Sequence, residues 1–320
     1  MARSGKKVMK RFNAIILSSA CALGFASSVS YGADPAVDYA GERLEAMERA
    51  LMLTGIVEVY GDYSFVEGAS GNANNNFNGS NDLDSYPEVG GSVRLSVPFA
   101  DRFSGQIDLD GEVRVFDEDD ADNDHYYGSY AGTLHVSYRN PSSYLLGVFG
   151  GAGRLDYVQE HLADFWYGGL EAQYYFDQAT LYGQAGYLTS DDVHNDGLHN
   201  AWFMRGVGRY FWSDYSMAQA EIAYVDGEQD TDDQDMYGVS WGLRVEHQFM
   251  PVPVSLFAAY EGNYFENEDS GDDGDFTEHS FLIGAKYAFG ATGLKANDRY
   301  GATLDTPGFG RWVAAGNELD

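Results

Sequence analysis

The sequence predicts an all-β fold, a membrane-spanning antiparallel up-and-down barrel of about twelve strands (roughly ten to fourteen) preceded by a short helix. Three observations predict it. Residues 53–289 read as successive segments in which apolar and polar side chains alternate with period two. The connections between these segments alternate between long and short, and aromatic residues recur at two heights on one face of several segments. Composition agrees, with 39 Gly, 24 Tyr and 19 Phe against 7 Pro and 1 Cys, because aromatic residues favour strands.

Residues 1–33 form a targeting segment. Arg3, Lys6, Lys7, Lys10 and Arg11 make a basic start without an acid, residues 14–25 (AIILSSACALGF) are apolar, and small residues follow. This is the three-part layout of a secretory signal peptide, with cleavage expected between Ser30 and Ala33. The apolar run is broken by Ser18, Ser19 and Gly24 and falls short of the roughly 20 residues of a membrane-spanning helix. Cys21, the only cysteine, lies in the discarded part, and Leu17 stands one place too far from it for lipoprotein processing. The remaining chain then has no disulfide and no cysteine–metal site. It keeps 14 basic against 50 acidic residues, a surface that repels nucleic acid.

Residues 38–53 (DYAGERLEAMERALML) set Leu44, Met47 and Leu51 at helical spacing among Glu42, Arg43, Glu45, Glu48 and Arg49, with Thr54-Gly55 as a stop. A short amphipathic helix on the periplasmic side is expected within 34–52, as a leader into the first strand or as a lumen plug.

In the first barrel segment Val57, Val59, Tyr63 and Phe65 oppose Glu58, Tyr60, Asp62 and Ser64. The third sets Ile107, Leu109, Val113 and Val115 against Gln106, Asp108, Asp110, Glu112 and Arg114. The tenth sets Val239, Trp241, Leu243 and Val245 against Ser240, Arg244, Glu246 and Gln248, and the twelfth sets Phe281, Ile283, Ala285 and Tyr287 against Ser280 and Lys286. The fifth, around 143–153, and the eighth, around 201–212, are less regular; in the eighth, Phe203, Val207 and Phe211 share a face with Arg205 and Arg209.

Long connections are expected at 66–87, 117–126, 154–164, 189–200, 226–235 and 266–277, and short ones at 100–102, 140–142, 177–178, 213–214 and 250–253. Such alternation is the pattern of an outer-membrane barrel, with tight periplasmic turns and long external loops. Tyr130 and Tyr138, Trp166 and Tyr174, and Trp202 and Tyr210 lie eight residues apart in outward register. At roughly 3.3 Å per residue and a tilt of about 40° they span about 20 Å of height, which fits two aromatic girdles.

The last segment, Gly284-Ala285-Lys286-Tyr287-Ala288-Phe289, fits a Gly-x-x-aromatic-x-aromatic ending. On this motif and the pattern above, the chain resembles a Gram-negative outer-membrane β-barrel of the porin kind over 53–289. The resemblance implies an outer-membrane location and contact with lipid and lipopolysaccharide. It also implies recognition of Gly284, Tyr287 and Phe289 by the barrel-insertion machinery, and a monomer or homotrimer. In that family the motif closes the chain, whereas 31 residues follow here. Residues 290–320, with Tyr300, Phe309 and Trp312, are either a periplasmic tail or a second plug.

With the apolar face on lipid, the lumen is lined by Glu58, Asp62, Arg94, Asp108, Asp110, Glu112, Arg114, Glu171, Arg205, Arg209, Glu221, Arg244, Glu246, Glu261 and Lys286. Such charges either pair across the lumen or line a path for solutes. Eight strands are filled by their own side chains and sixteen leave a channel, so twelve leave a narrow pore or a plugged one. The long connections, with Glu88 and Glu278 at their edges, hold 29 acidic residues and one basic residue, Arg154. A weak cation preference is therefore expected. The Asp-rich runs 226–235 and 269–275 invite a calcium reading, but the second falls short of an EF-hand, since Gly271 and Ser280 stand where ligands belong; loosely held divalent cations are the only cofactor-like expectation.

No enzymatic activity is expected. Asp82-Leu83-Asp84 and Asp192-Val193-His194 imitate the Asp pair and the Asp–His pair of omptin rim proteases, but that family's basic patch for lipopolysaccharide is missing. His135-Val136-Ser137 has the spacing of the outer-membrane phospholipase pair in an inward register. The expected function is passive diffusion of small hydrophilic solutes. The alternatives are a non-conducting adhesive or structural barrel with acidic binding loops, and a rim protease.

Overall fold

The computed structural model describes residues 53–67, 84–100, 102–114, 128–157, 161–191, 198–229, 234–250, 252–267 and 275–318. The signal peptide and the helix expected within 34–52 lie outside these residues, as do Asp82, Asp192 and His194 of the two protease-like pairs.

Twelve antiparallel strands form one closed barrel, as predicted. They are β1 (Thr54–Glu67), β2 (Asp84–Ala100), β3 (Phe103–Arg114), β4 (Gly128–Asn140), β5 (Tyr144–Tyr157), β6 (His161–Tyr175), β7 (Ala179–Ser190), β8 (Leu198–Ser213), β9 (Ser216–Gln229), β10 (Gln234–Phe249), β11 (Val254–Asn267) and β12 (Asp275–Phe289). Each pairs with its sequence neighbours, and β1 closes on β12 from Gly55 opposite Phe289 to Glu67 opposite Thr277. Closure removes every sheet edge, which lets the backbone cross a bilayer with its hydrogen bonds made.

Alternation fixes which face meets what. On β12 Ile283 is 71% exposed and its neighbour Leu282 only 7%. Val59, Leu109, Leu134, Leu170, Ile222 and Leu243 likewise point outward, giving the barrel the apolar outer belt of a membrane-spanning one. Strands run further into two of the expected long connections. β5 and β6 pair up to Tyr157 opposite His161, leaving only 158–160 between them, and β9 and β10 leave 230–233. Arg154 fastens the first of these extensions, with Nε and Nη2 donating to the Asp164 carboxylate at 2.5 and 2.8 Å.

The chain then turns into the barrel at Gly290, whose φ of +83° is left-handed and whose added Cβ would lie 2.6 Å from the Leu53 carbonyl oxygen. Gly290→Ala is expected to destabilise this turn by about 1–3 kcal/mol, read as a lower thermal midpoint. Helix α1 (Leu294–Tyr300) lies at the short-turn end, residues 303–308 form an irregular connection, and helix α2 (Phe309–Glu318) occupies the long-loop half of the lumen. Phe309, Trp312 and Val313 repeat at i, i+3 and i+4 on α2 and bury their side chains among Phe149, Phe165, Tyr167, Phe203, Phe265 and Phe276 of the wall. The long-loop half of the lumen thus carries an apolar seat beside the charged groups around Arg311 and is not polar throughout, because the barrel encloses a helix with an apolar face.

Candidate functional site

The inner face of β8 and the tail are complementary, position by position. Phe203 meets Phe309 and Trp312 with ring centroids 5.1 and 5.9 Å apart. Arg205 donates from Nη1 to Asp305 at 2.7 Å and from Nη2 to Glu221 at 2.7 Å. Val207 packs in one cluster with Leu304, Leu145, Tyr175 and Tyr182. Arg209 donates from Nη1 to Asp298 at 2.9 Å and to the Thr303 hydroxyl at 2.9 Å, and Phe211 packs with Leu294 and Met217. The irregular alternation of this strand is the imprint of the tail that covers it.

Other strands hold the same tail by its backbone. Gln106 on β3 donates its side-chain amide to the Leu304 carbonyl at 2.7 Å and accepts the Leu304 N–H at 3.3 Å. Tyr182 and Gln184 on β7 both donate to the Asp305 carbonyl, at 2.9 and 2.8 Å, and Arg139 on β4 donates to the Gly301 carbonyl at 2.8 Å. Burial alone would raise the Asp305 carboxyl, but Arg205, Arg209 and Arg94 hold it far below the usual carboxylate range.

On α2, Arg311 enters a ring of carboxylates. Its Nη2 donates to Glu88 at 2.6 Å and to Asp62 at 3.1 Å, its Nε to Glu112 at 3.2 Å, and its Nη1 to the Ser280 hydroxyl at 3.3 Å, with Glu278 at 3.9 Å. Burial would favour its neutral form, but these acids hold the guanidinium charged.

The remaining lumen charges form wall clusters. Arg244 on β10 reaches across to Glu58 on β1, donating from Nη1 and Nη2 at 2.9 and 2.7 Å, and bonds Glu246 at 3.0 Å; Lys286 pairs with Glu246. Asp108, His135 and Glu171 form a chain, with 3.3 Å from His135 Nε2 to Asp108 and 2.9 Å from Nδ1 to Glu171. Ser137 instead shares a hydrogen bond with Ser104, so His135 and Ser137 do not act on each other. Arg114 donates to Glu88 at 2.9 Å, and Arg94 lies 3.8 Å from Asp305. Asp110 and Glu261 face a mid-lumen cavity of about 220 Å³, which Glu58, Glu112, Glu221, Arg205, Arg244, Asp305 and Arg311 also line.

Outside, Tyr130, Trp166, Trp202, Tyr174 and Tyr210 are exposed, and Tyr138 is half-buried against Phe103 and Tyr144. The first three lie towards the long-loop end and the others towards the short turns. Gly284 leaves room inside for the Phe257 ring, while Tyr287 and Phe289 end β12 beside each other. Sequence reasoning placed His135 inward but missed Glu88, Arg139 and Glu278 on the wall, and Asp298, Asp305 and Arg311 on the tail. Glu88 and Glu278 share strand parity with Arg94 and Ser280, which was the available signal.

No protein-family model matches the chain, and no curated protein matches it by sequence. An outer-membrane channel of Pseudomonas putida F1 aligns with 82% of this chain and 100% of its own, at 14% identity and a TM-score of 0.55. The KdgM porin, solved in complex with disordered oligogalacturonate, covers 72% of this chain and 99% of its own at 11% identity and a TM-score of 0.37. OmpT, an outer-membrane protein of Vibrio cholerae, covers 73% and 98% at 15% identity and a TM-score of 0.37. The chain therefore shares the barrel fold of the Pseudomonas putida outer-membrane channel.

Proposed function

We propose that the protein is an outer-membrane channel for passive diffusion of small hydrophilic solutes, weakly cation-preferring, with its own carboxy-terminal tail as the lumen plug. The mid-lumen cavity carries this reading. At about 220 Å³ it has room for several waters, and its lining includes seven acidic side chains against four arginines. A net-acidic space between tail and wall, large enough for water, supports a cation-preferring pathway. Short turns and the tail's point of entry would face the periplasm, where a signal peptide and the insertion machinery would deliver the chain; lipid and lipopolysaccharide would surround it. Acidic loops would hold divalent cations loosely outside. The reading assigns no catalysis.

The test is single-channel conductance in planar bilayers of the folded full chain and of a folded chain ending at Phe289. Low conductance from the first and larger, cation-leaning steps from the second are expected. A folded but silent truncated barrel overturns the channel reading in favour of a structural or adhesive barrel. Reversal potentials of the anion-preferring sign overturn the selectivity.

A further inference from the structure

We propose that the wall around Arg311 is a binding site for guanidinium-type organic cations, with Arg311 as its resident occupant and a guanidinium-bearing solute as its competitor. This deepens the channel reading and rests on it for the solute's route.

Four consecutive strands of the closed barrel, β12, β1, β2 and β3, each place one carboxylate here: Glu278, Asp62, Glu88 and Glu112. Asp62 and Glu88 are direct cross-strand partners, a like-charge pairing that disfavours the sheet unless a cation bridges it. Arg311 supplies that bridge from a single nitrogen, Nη2, at 3.1 and 2.6 Å. The wall's own contribution is Arg114, bound to Glu88. Without the tail, four carboxylates would face one guanidinium, with Tyr86 and Asn263 still donating to Glu278 and Tyr60 and Ser129 to Glu112, and a buried excess of negative charge is destabilising. A tail that withdraws therefore leaves a place that another cation can fill.

The geometry selects the class of cation. Nε, Nη1 and Nη2 of Arg311 each address a different partner, Glu112, Ser280 and the Asp62–Glu88 pair, which matches a planar fork of donors rather than a point charge. The wall retains unused capacity, because Asp62 Oδ1 is fully buried and accepts no hydrogen bond. Among the described residues no group of three or more His, Cys, Asp or Glu is arranged to hold a metal ion. The mid-lumen cavity borders both Glu112 and Arg311, so the site opens onto a space lined by polar side chains.

The full chain carrying Arg311→Ala is the test, titrated with methylguanidinium chloride and, at equal ionic strength, with tetramethylammonium chloride, which has no N–H to donate. Methylguanidinium is expected to raise the thermal midpoint of this variant and to bind about tenfold tighter than tetramethylammonium, a difference that charge-assisted hydrogen bonds supply. Adding Glu88→Gln is expected to abolish the preference. Equal responses to the two ions, or a preference that survives Glu88→Gln, overturn the proposal. If Arg311→Ala folds poorly, methylguanidinium alone restores its folding yield; failure to do so overturns it equally. Conductance is read separately, so binding in a silent barrel refutes the channel reading and leaves the site standing.

Discussion

Trp312→Ala and Phe309→Ala are each expected to loosen the tail from the long-loop half of the lumen by about 3–5 kcal/mol, the range for deleting a buried aromatic ring from a core. Both rings are 2% exposed. Phe309 stacks on Tyr167 at 4.1 Å between centroids and meets Trp312 edge-on at 5.5 Å, while the Trp312 indole N–H donates to the Ser240 hydroxyl at 3.0 Å. Removing either leaves a cavity walled by phenylalanines that the rigid barrel cannot close, and removing Trp312 also strips Ser240 of its donor. Trp312→Phe separates these contributions: it retains most of the apolar contact and is expected to cost about 1 kcal/mol for the lost hydrogen bond. Because the two rings touch, the double variant is expected to lose less than the sum of the singles. Urea unfolding of each variant, with protease cleavage after residue 300 as the readout of tail release, checks these values. A loss below about 1 kcal/mol for Trp312→Ala would mean that the polar contacts alone retain the tail.

The barrel was legible because its strands obey a local rule. A period of two, read along any one strand, separates lipid-facing Val59 or Ile283 from lumen-facing Glu58 or Ser280 without knowledge of any neighbour. The filling of the lumen was not legible, because it depends on contacts over about a hundred residues of sequence, such as Arg205 to Asp305 and Phe203 to Phe309. Mixed Phe and Arg on one face of β8 looks irregular when the expected partner is water, and becomes regular once the partner is a tail that alternates Leu294, Asp298, Leu304, Asp305 and Phe309. The apolar face of α2 could be seen in Phe309, Trp312 and Val313, but no local rule says which wall it meets. Glu88 was hidden for a different reason, since Pro87 and Gly90-Gly91 interrupt the alternation around it.

Asp305→Asn is expected to destabilise tail docking by about 3–5 kcal/mol, the cost of removing one partner from a buried charge group. Asp305 faces Arg205 at 2.7 Å, Arg209 at 3.4 Å and Arg94 at 3.8 Å. Asparagine retains the shape and the carbonyl contacts of Tyr182 and Gln184 but leaves those guanidinium groups short of one negative charge. The pH dependence distinguishes this electrostatic cause from a packing defect. Held below its ordinary value in the docked state, the Asp305 carboxylate contributes its full stabilisation above the unfolded pKa of about 3.9. The contribution then falls away as pH drops towards the docked value, because the released tail takes up the proton first. The stability difference between the wild-type chain and Asp305→Asn is therefore expected to be constant from about pH 7 to about pH 5 and to shrink below about pH 4. Tail release measured by protease cleavage across that range checks it. A difference that widens on acidification would overturn the assignment, and so would one already gone at about pH 5, since both would place the decisive titration on another group.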